Sequence, residues 1–248
     1  MIEIDSVANA LKHHELYLEY LPTVSLETEH CVGTEALVRW RRDDKIIPPE
    51  EFIPVVENTP LSGLITYWVI ETAARELGAW LWANDNIHLS INVPPEILGR
   101  GGMEYAAIKA GIAELHSKII LEVTERGVPD KIGVDAINRA MARGIRVALD
   151  DVGTGGANLA VLCRAHVDMI KIDKSFVAQF FYDDKYSGRL AAFAAILRSA
   201  NLDIVVEGVE SEAQARILKE AGIRMAQGFY FSPPLAAADF ENYYRTHC

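Results

Sequence analysis

The sequence predicts an α/β protein with the architecture of a (β/α)₈ barrel. Eight short apolar runs rich in β-branched residues alternate along the 248 residues with longer segments of helical periodicity. The runs are nearly continuous in their apolar character, which is typical of strands buried on both faces. A chain of this length can bury one large core, and barrels of this size often form one domain. We therefore expect a single barrel domain over residues 1–248.

The strands and helices follow from the spacing of apolar residues. Strands are predicted at residues 17–26, 35–40, 88–93, 118–124, 146–152, 168–173, 203–209 and 225–231. Helices are predicted at 62–83, 103–115, 130–143, 187–200 and 211–221. The helix over 62–83 has the clearest pattern, because its apolar residues recur at spacings of three and four. Ser211 followed by Gln214 has the form of a capping box and marks a helix start.

Composition and charge exclude several classes of protein. The chain is 50% hydrophobic and 24% charged, which is globular composition and argues against disorder. The longest apolar run, 191–197, is far shorter than the ~18 residues of a membrane span, so no membrane insertion is expected. A net charge of −11 argues against binding of duplex nucleic acid. Cys31, Cys163 and Cys248 show neither zinc spacing nor a disulfide pattern, which favours a reducing, cytoplasmic setting.

Polar residues interrupt or follow seven successive predicted strands. In such barrels the active site gathers at the C-terminal ends of the strands. The second predicted strand begins with Glu35 and holds Arg39. The following strands carry, at or near their ends, Asn92, Glu122 and Glu125, Asp150 and Asp151, Lys171 and Asp173, Glu207 and Glu210, and Gln227. Burying one unpartnered carboxylate is costly or shifts its pKa, so a convergent set requires neutralising cations.

The residue types predict which cations these are. Asp, Glu and Asn offer the oxygen ligands that Mg²⁺ and Mn²⁺ prefer, and no Cys or His accompanies them, which disfavours zinc. Asp150 and Asp151 are the best candidates for a bridge between two ions about 3.5–4 Å apart, as in two-metal phosphoryl-transfer sites. Any one of these residues alone is more typical of a surface acid, a turn or a structural Lys–Asp pair. Their succession over seven strand ends favours a site.

A series of short motifs also runs through the chain in a fixed order. These are E-A-L-V-R-W at 35–40, P-P-E-E-F-I-P at 48–54, I-N-V at 91–93, L-E-V-T-E at 121–125, L-D-D-V-G-T-G at 149–155, K-I-D-K-S-F-V at 171–177, V-E-G-V-E at 206–210 and Q-G-F-Y-F-S at 227–232. In kind, order and spacing they resemble the EAL-domain cyclic-di-GMP phosphodiesterases over nearly the whole chain. The resemblance implies a modified TIM barrel whose first strand runs antiparallel to its neighbours. It also implies hydrolysis of cyclic-di-GMP to linear pGpG with two Mg²⁺ or Mn²⁺ ions, and a homodimer.

The resemblance further implies a role for each matching residue. The metal ligands would be Glu35, Asn92, Glu122, Asp150, Asp151 and Asp173, with Asp150 as the bridge. Lys171 would hold and help to activate the attacking water, with a pKa lowered by the two cations, and Glu35 and Glu207 would share the catalytic role. Arg39 and Gln227 would bind substrate, and Glu125 would anchor the loop after the fifth strand.

Two departures from the family pattern leave alternatives open. Leu21 stands before Pro22 where the family often has Gln, which removes one polar contact near the site. Leu at this position resembles a subgroup in which the barrel follows a periplasmic sensor and membrane helices, so the chain is expected to be the cytoplasmic part of a longer protein. The loop at 152–158 reads V-G-T-G-G-A-N where the family usually has F-G-T-G-Y-S-S. In the family this loop couples dimerisation to metal binding.

Three functions are therefore compared. An active phosphodiesterase is favoured, because degenerate family members typically lose a metal ligand or the lysine and none of the matched positions is lost here. A barrel that binds the dinucleotide or a protein partner without turnover is the alternative. An unrelated metal-dependent barrel enzyme of the enolase type is the third, and it leaves Gln227 and the full set of motifs unexplained.

Overall fold

The computed structural model describes residues 2–123, 129–152, 166–175 and 187–248. Its strands are β1 (Leu16–Ser25), β2 (Cys31–Arg42), β3 (Lys45–Ile47), β4 (His88–Val93), β5 (Ile119–Val123), β6 (Arg146–Val152), β7 (Met169–Ile172), β8 (Asp203–Val206) and β9 (Met225–Ala226). Its α-helices are α1 (Ile4–Lys12), α2 (Pro49–Val56), α3 (Pro60–Ala83), α4 (Gly102–Lys109), α5 (Lys131–Ala142), α6 (Ser187–Ser199), α7 (Glu212–Glu220) and α8 (Ala237–Thr246).

Eight of these strands close into a barrel, as the sequence predicts. From β2 the order runs through β4, β5, β6, β7 and β8 to β9, and all of these neighbours are parallel. β1 closes the circle and is antiparallel to both β2 and β9. β3 is a short hairpin partner of β2 outside the circle. The expected antiparallel first strand is therefore confirmed.

The ends of the last two barrel strands differ from the prediction. The ranges 203–209 and 225–231 were too long, because β8 ends at Val206 and β9 contains only Met225 and Ala226. Here the chain leaves the barrel wall and packs against itself. A Cβ at Gly228, where φ is 149°, would lie 2.2 Å from the backbone nitrogen of Val209, so only glycine permits this approach.

Some helices also differ from the prediction. The helix predicted at 103–115 ends at Lys109, and a separate 3₁₀ segment follows at Ala113–Lys118. Among the described residues, three helices were not predicted: α1, α2 and α8. Each has ten or fewer residues, with one or two of them fully buried, so their periodicity is weak in the sequence. None of the helices in the described ranges is long and apolar enough to cross a membrane.

The barrel interior consists of an apolar layer beneath a polar one. Ile120, Ala148, Met169, Val205 and Met225, from five neighbouring strands, pack together in the interior. Because side chains two residues apart share a face of a strand, the residues two positions further along must also face inward. These are Glu122, Asp150, Lys171, Glu207 and Gln227. The polar layer thus lies at the C-terminal end of the barrel, where the sequence predicts the site.

Candidate active site

The side chain of Lys171 forms the centre of the polar layer. It is only 2% exposed, and four carboxylates surround its ammonium group. From Nζ the distances are 2.6 Å to Glu207 Oε1, 2.8 Å to Glu35 Oε2, 2.8 Å to Glu122 Oε2 and 3.7 Å to Asp150 Oδ1. Four of the predicted acidic residues therefore converge on the predicted lysine, although they are far apart in the chain.

Burial and mutual charge shift the pKa values of this cluster in different directions. Burial opposes the charged form of Lys171, but the charges of the surrounding carboxylates outweigh it and raise the lysine pKa well above its ordinary value. The lowered lysine pKa expected beside two cations stays a prediction. Burial raises the pKa of Glu122 well above its usual range, and the charge of Glu35 adds to this rise. Burial also raises the pKa of Glu207, to about 8.

Glu35 behaves differently because it receives more hydrogen bonds. Burial alone would raise its pKa, but the charge of Lys171, its hydrogen bond and a hydrogen bond from Asn92 hold the pKa below the ordinary value. Asn92 Nδ2 donates to Glu35 Oε1 at 2.7 Å. Asn92, at the C-terminal end of β4, is thus brought next to Glu35 of β2, as the predicted ligand set requires.

Gln227 occupies the same layer with one polar atom unused. Its side chain is buried, and Nε2 donates to Thr23 Oγ1 at 3.0 Å. Its Oε1 has no hydrogen-bond partner among the described residues, although it is shielded from solvent. Buried acceptors are nearly always paired in folded proteins, so this oxygen marks a place that a ligand can complete.

Arg39 lies at the mouth of the barrel rather than in the cluster. Its Nε donates to Glu19 Oε2 at 2.8 Å, and Nη1 donates to the carbonyl oxygen of Val38 at 3.2 Å. With Asn92 and Asp150 it lines a cavity of about 420 Å³ between the ends of β2 and β4 and helix α2. This volume lies in the range of organic-ligand pockets.

Three predicted site residues are not part of this cluster as described. Asp173 follows β7, and its Oδ1 accepts a hydrogen bond from the backbone N–H of Ser175 at 2.8 Å. Asp151 lies in β6, but its side chain is outside the described part of the structure, as is the whole of Glu125. The positions predicted for these two side chains therefore stay predictions.

The chemistry of the cluster fits a hard divalent cation, although its present geometry is that of a lysine-centred cluster. Among the described side chains, no three Asp, Glu, His or Cys residues are grouped as metal ligands. Carboxylates on β2, β5 and β6, with the amide of Asn92, nevertheless provide the oxygen donors that Mg²⁺ and Mn²⁺ select. The unpaired Oε1 of Gln227 in the same layer is consistent with a further ligand there.

Two polar residues of the first strand were missed by the sequence interpretation. Glu19 pairs with Arg39, and Thr23 pairs with Gln227. The alternation in β1 could have indicated them, because Glu19, Leu21 and Thr23 share one face of the strand. The register places Leu21 directly opposite Glu35, so this departure from the family pattern lies next to the cluster.

Comparison with known proteins identifies the family. The EAL-domain model matches residues 4–234. Rv1354c of Mycobacterium tuberculosis is 37% identical over 227 residues, covering 89% of this chain and 36% of that protein. PdeR of Escherichia coli, named a cyclic di-GMP phosphodiesterase, is 30% identical over 248 residues, covering 98% of this chain and 37% of that protein. The chain thus spans little more than a third of the length of these relatives.

Solved structures agree with the sequence matches. The EAL enzyme Bd1971 in its cAMP-bound form has a TM-score of 0.85 at 28% identity, covering 97% of this chain and 69% of that one. The PaMucR phosphodiesterase in its complex with c-di-GMP has a TM-score of 0.84 at 30% identity, covering 96% of this chain and 98% of that one. Together with the motifs and the barrel, these matches show that the chain belongs to the EAL-domain family.

Proposed function

We propose that this domain hydrolyses cyclic-di-GMP to linear pGpG, with Mg²⁺ or Mn²⁺ as cofactor at two positions. The observation that carries the proposal is the convergence of Glu35, Glu122, Asp150 and Glu207 on Lys171, beside a cavity that Arg39 lines. Support comes from PdeR, named a cyclic di-GMP phosphodiesterase, and from the c-di-GMP complex of PaMucR.

The proposed metal site uses the predicted oxygen donors. Glu35, Asn92, Glu122, Asp150, Asp151 and Asp173 would hold the ions, and Glu125 would anchor the neighbouring loop. Such ions lower the pKa of bound water and offset charge on phosphoryl oxygens. The carboxylates that now contact Lys171 would share their oxygens between the ammonium group and the ions.

The other residues would position the reacting groups. Water attacks phosphorus and gives up a proton, the bond from phosphorus to the 3′-oxygen breaks, and the leaving oxygen takes up a proton to become a hydroxyl, so that the proton lost by water balances the one gained. Lys171 Nζ would donate a hydrogen bond to the attacking water and orient its lone pair towards phosphorus. Glu207, 2.6 Å from Nζ, would hold the ammonium group in place. Arg39 and Gln227 would bind the phosphoryl oxygens.

A product assay tests this proposal. The purified chain is incubated with cyclic-di-GMP and Mg²⁺ or Mn²⁺, and the products are separated by chromatography. We expect pGpG from the wild type, none after chelation, and at least a hundredfold less, on the order of the loss of a key charge-stabilising group, from Glu35→Gln. The matched control Glu212→Gln changes an exposed acid in the first turn of α7 and should keep wild-type activity. Absence of product from the wild type under all these conditions would refute the enzyme.

One observation favours a second candidate, a receptor that binds the dinucleotide without turnover. Leu21 lies opposite Glu35 in the β1–β2 register, where a glutamine would offer a polar contact. Calorimetry distinguishes the two candidates, because the receptor predicts binding of cyclic-di-GMP with no pGpG. Replacing Leu21 by Gln should then restore some turnover. The enolase-type alternative is set aside, because the chain belongs to the EAL-domain family.

The assembly and cellular setting are also proposals. We expect a homodimer, which light scattering coupled to size-exclusion chromatography can distinguish from a monomer. We expect the domain to act in the cytoplasm as one part of a longer protein, since it spans little more than a third of its matched relatives. Neither a membrane nor duplex nucleic acid is expected as a partner of this domain.

A further inference from the structure

The ion pair between Glu19 and Arg39 lies at the mouth of the barrel. The two residues are diagonal neighbours on β1 and β2, because Glu19 is opposite Leu37 and Tyr17 is opposite Arg39. Arg39 Nε lies 2.8 Å from Glu19 Oε2, and the two side chains are only 17% and 28% exposed. Both partners are thus partly withdrawn from water, which strengthens their attraction relative to a surface pair.

Arg39 uses only part of its hydrogen-bonding capacity within the protein. Nε is used by Glu19, and one N–H of Nη1 is used by the carbonyl of Val38. Within the described part of the chain, Nη2 has no protein partner. A guanidinium held in this way can still offer N–H groups to a phosphate oxygen, but its charge is already shared with a carboxylate.

Arg39 is also the only basic side chain among the described residues that line the 420 Å³ cavity. The acidic residues on the same wall are Glu50, Glu57, Glu96 and Asp150. The other cation close to the site, Lys171, is enclosed by four carboxylates. An anionic substrate entering this cavity therefore depends on Arg39, and its attraction depends on how much of that positive charge Glu19 cancels.

We propose that Glu19 sets the affinity of the site for its phosphodiester substrate by competing for Arg39. The proposal rests on the function proposed above and assigns a role to a residue outside the predicted site. In the free domain the Glu19 carboxylate neutralises Arg39. In the complex the same carboxylate repels the bound phosphate, so Glu19 weakens substrate binding without touching the reacting atoms.

The substitution Glu19→Gln separates charge from hydrogen bonding, because the amide oxygen can still accept from Arg39 Nε. We expect KM for cyclic-di-GMP, and its Kd by calorimetry, to fall about three- to tenfold, with kcat within about twofold. The improvement should shrink as salt is added, because salt screens the repulsion that Glu19 exerts in the wild type. Glu19→Asp keeps the charge and should not reproduce the gain.

Two controls make the test specific. Glu51→Gln removes an exposed carboxylate in the first turn of α2 that does not line the cavity, and we expect less than a twofold effect on KM. In an Arg39→Gln background, Glu19→Gln should improve KM much less than in the wild type, because the competition for Arg39 is gone and only the direct repulsion of the phosphate by Glu19 remains. Unchanged or higher KM in Glu19→Gln would overturn the inference, even if the wild type is active. An inactive wild type would instead refute the proposed enzyme, and the Kd comparison would still test the role of Glu19.

Discussion

His88 is a buried polar residue in the barrel wall, at the opposite end of β4 from Asn92. Its ring packs so closely against Gly33 that a Cβ there would lie 2.1 Å from Nε2. Burial lowers the pKa of His88 to about 3, and the positive charges of Arg146 and Lys171 add to this effect. The imidazole is therefore neutral in the folded protein at pH values where an unfolded chain would protonate it.

This histidine predicts a loss of stability in mild acid. Because the pKa is lowered on folding, the stabilisation is complete above about pH 6.5 and falls as pH drops towards 3, by ~1.4 kcal/mol per pH unit. Urea unfolding should show His88→Gln losing less stability than the wild type, by about 2 kcal/mol, between pH 6.5 and 5. His30 is exposed, so the stability of His30→Gln should vary with pH as that of the wild type does. Parallel curves for wild type and His88→Gln would contradict the assignment.

Lys171 makes a second prediction at this scale. Lys171→Met leaves four buried or nearly buried carboxylates without their cation, so the free energy of unfolding should fall by about 3–5 kcal/mol near pH 7. Lys174→Met is a matched control, because Lys174 is three positions from Lys171 in the sequence but forms an exposed ion pair with Glu210. Its effect should stay below about 1 kcal/mol. Equal losses from the two variants in urea unfolding would show that the buried cluster does not depend on Lys171.

At the scale of elements, the start of α7 shows how a short motif determines a helix end. Ser211 Oγ accepts from the backbone N–H of Gln214, and Gln214 Oε1 accepts from the N–H of Glu210 at 2.7 Å. The side chain of Gln214 thus reaches the residue that precedes the N-cap Ser211, rather than Ser211 itself. The predicted capping box is confirmed in its first hydrogen bond and shifted by one residue in its second.

Removing this cap should destabilise the domain measurably. Ser211→Ala takes away the acceptor for the N–H of Gln214, so we expect a loss of ~1 kcal/mol in the free energy of unfolding. Ser199→Ala is the comparison variant. Ser199 ends α6, and its hydroxyl donates only to the carbonyl oxygen of Ile196, so its removal should lower the free energy of unfolding by less than about 0.5 kcal/mol. Chemical denaturation of the two variants in parallel provides the measurement. A larger loss from Ser199→Ala would argue against the capping assignment.

The same scale shows what the sequence could and could not predict. All eight barrel strands were found, because buried strands are nearly continuous apolar runs whose pattern is local. The ends of β8 and β9 were not, because they depend on the close contact of Gly228 with Val209, two segments that meet only in the fold. The barrel itself followed from the alternation of strands and helices, whereas the antiparallel β1 came from the family resemblance rather than from periodicity.

At the scale of the whole molecule, convergence of distant residues limits prediction of the site. The sequence pattern placed Glu35, Glu122, Asp150 and Lys171 on four predicted barrel strands, and barrel closure brings them within a few ångströms of one another. It gave no sign that the lysine would be the centre of the carboxylates. It also missed Glu19, because pairing with Arg39 depends on the β1–β2 register.

A metal-removal experiment belongs to this scale. Because Lys171 supplies an internal cation to the cluster, we expect the domain to stay folded without metal ions. Chelation should abolish hydrolysis but lower Tm by only about 5–10 °C, the order expected for loss of a ligand that stabilises the fold by ~3 kcal/mol. Circular dichroism melts with and without chelator measure this. Unfolding at 25 °C on chelation would contradict the expectation.

The apolar layer beneath the site has a kinetic consequence. Ile120, Ala148, Met169, Val205 and Met225 fill the barrel below the polar layer, so the interior is packed beneath the site in the part of the chain that the structure describes. For the proposed reaction, substrate and product would then use the same opening at the C-terminal end of the barrel, and the product would have to leave before the next substrate binds. For the proposed reaction, pGpG should act as a competitive inhibitor, with departure of product as a natural slow step of the cycle.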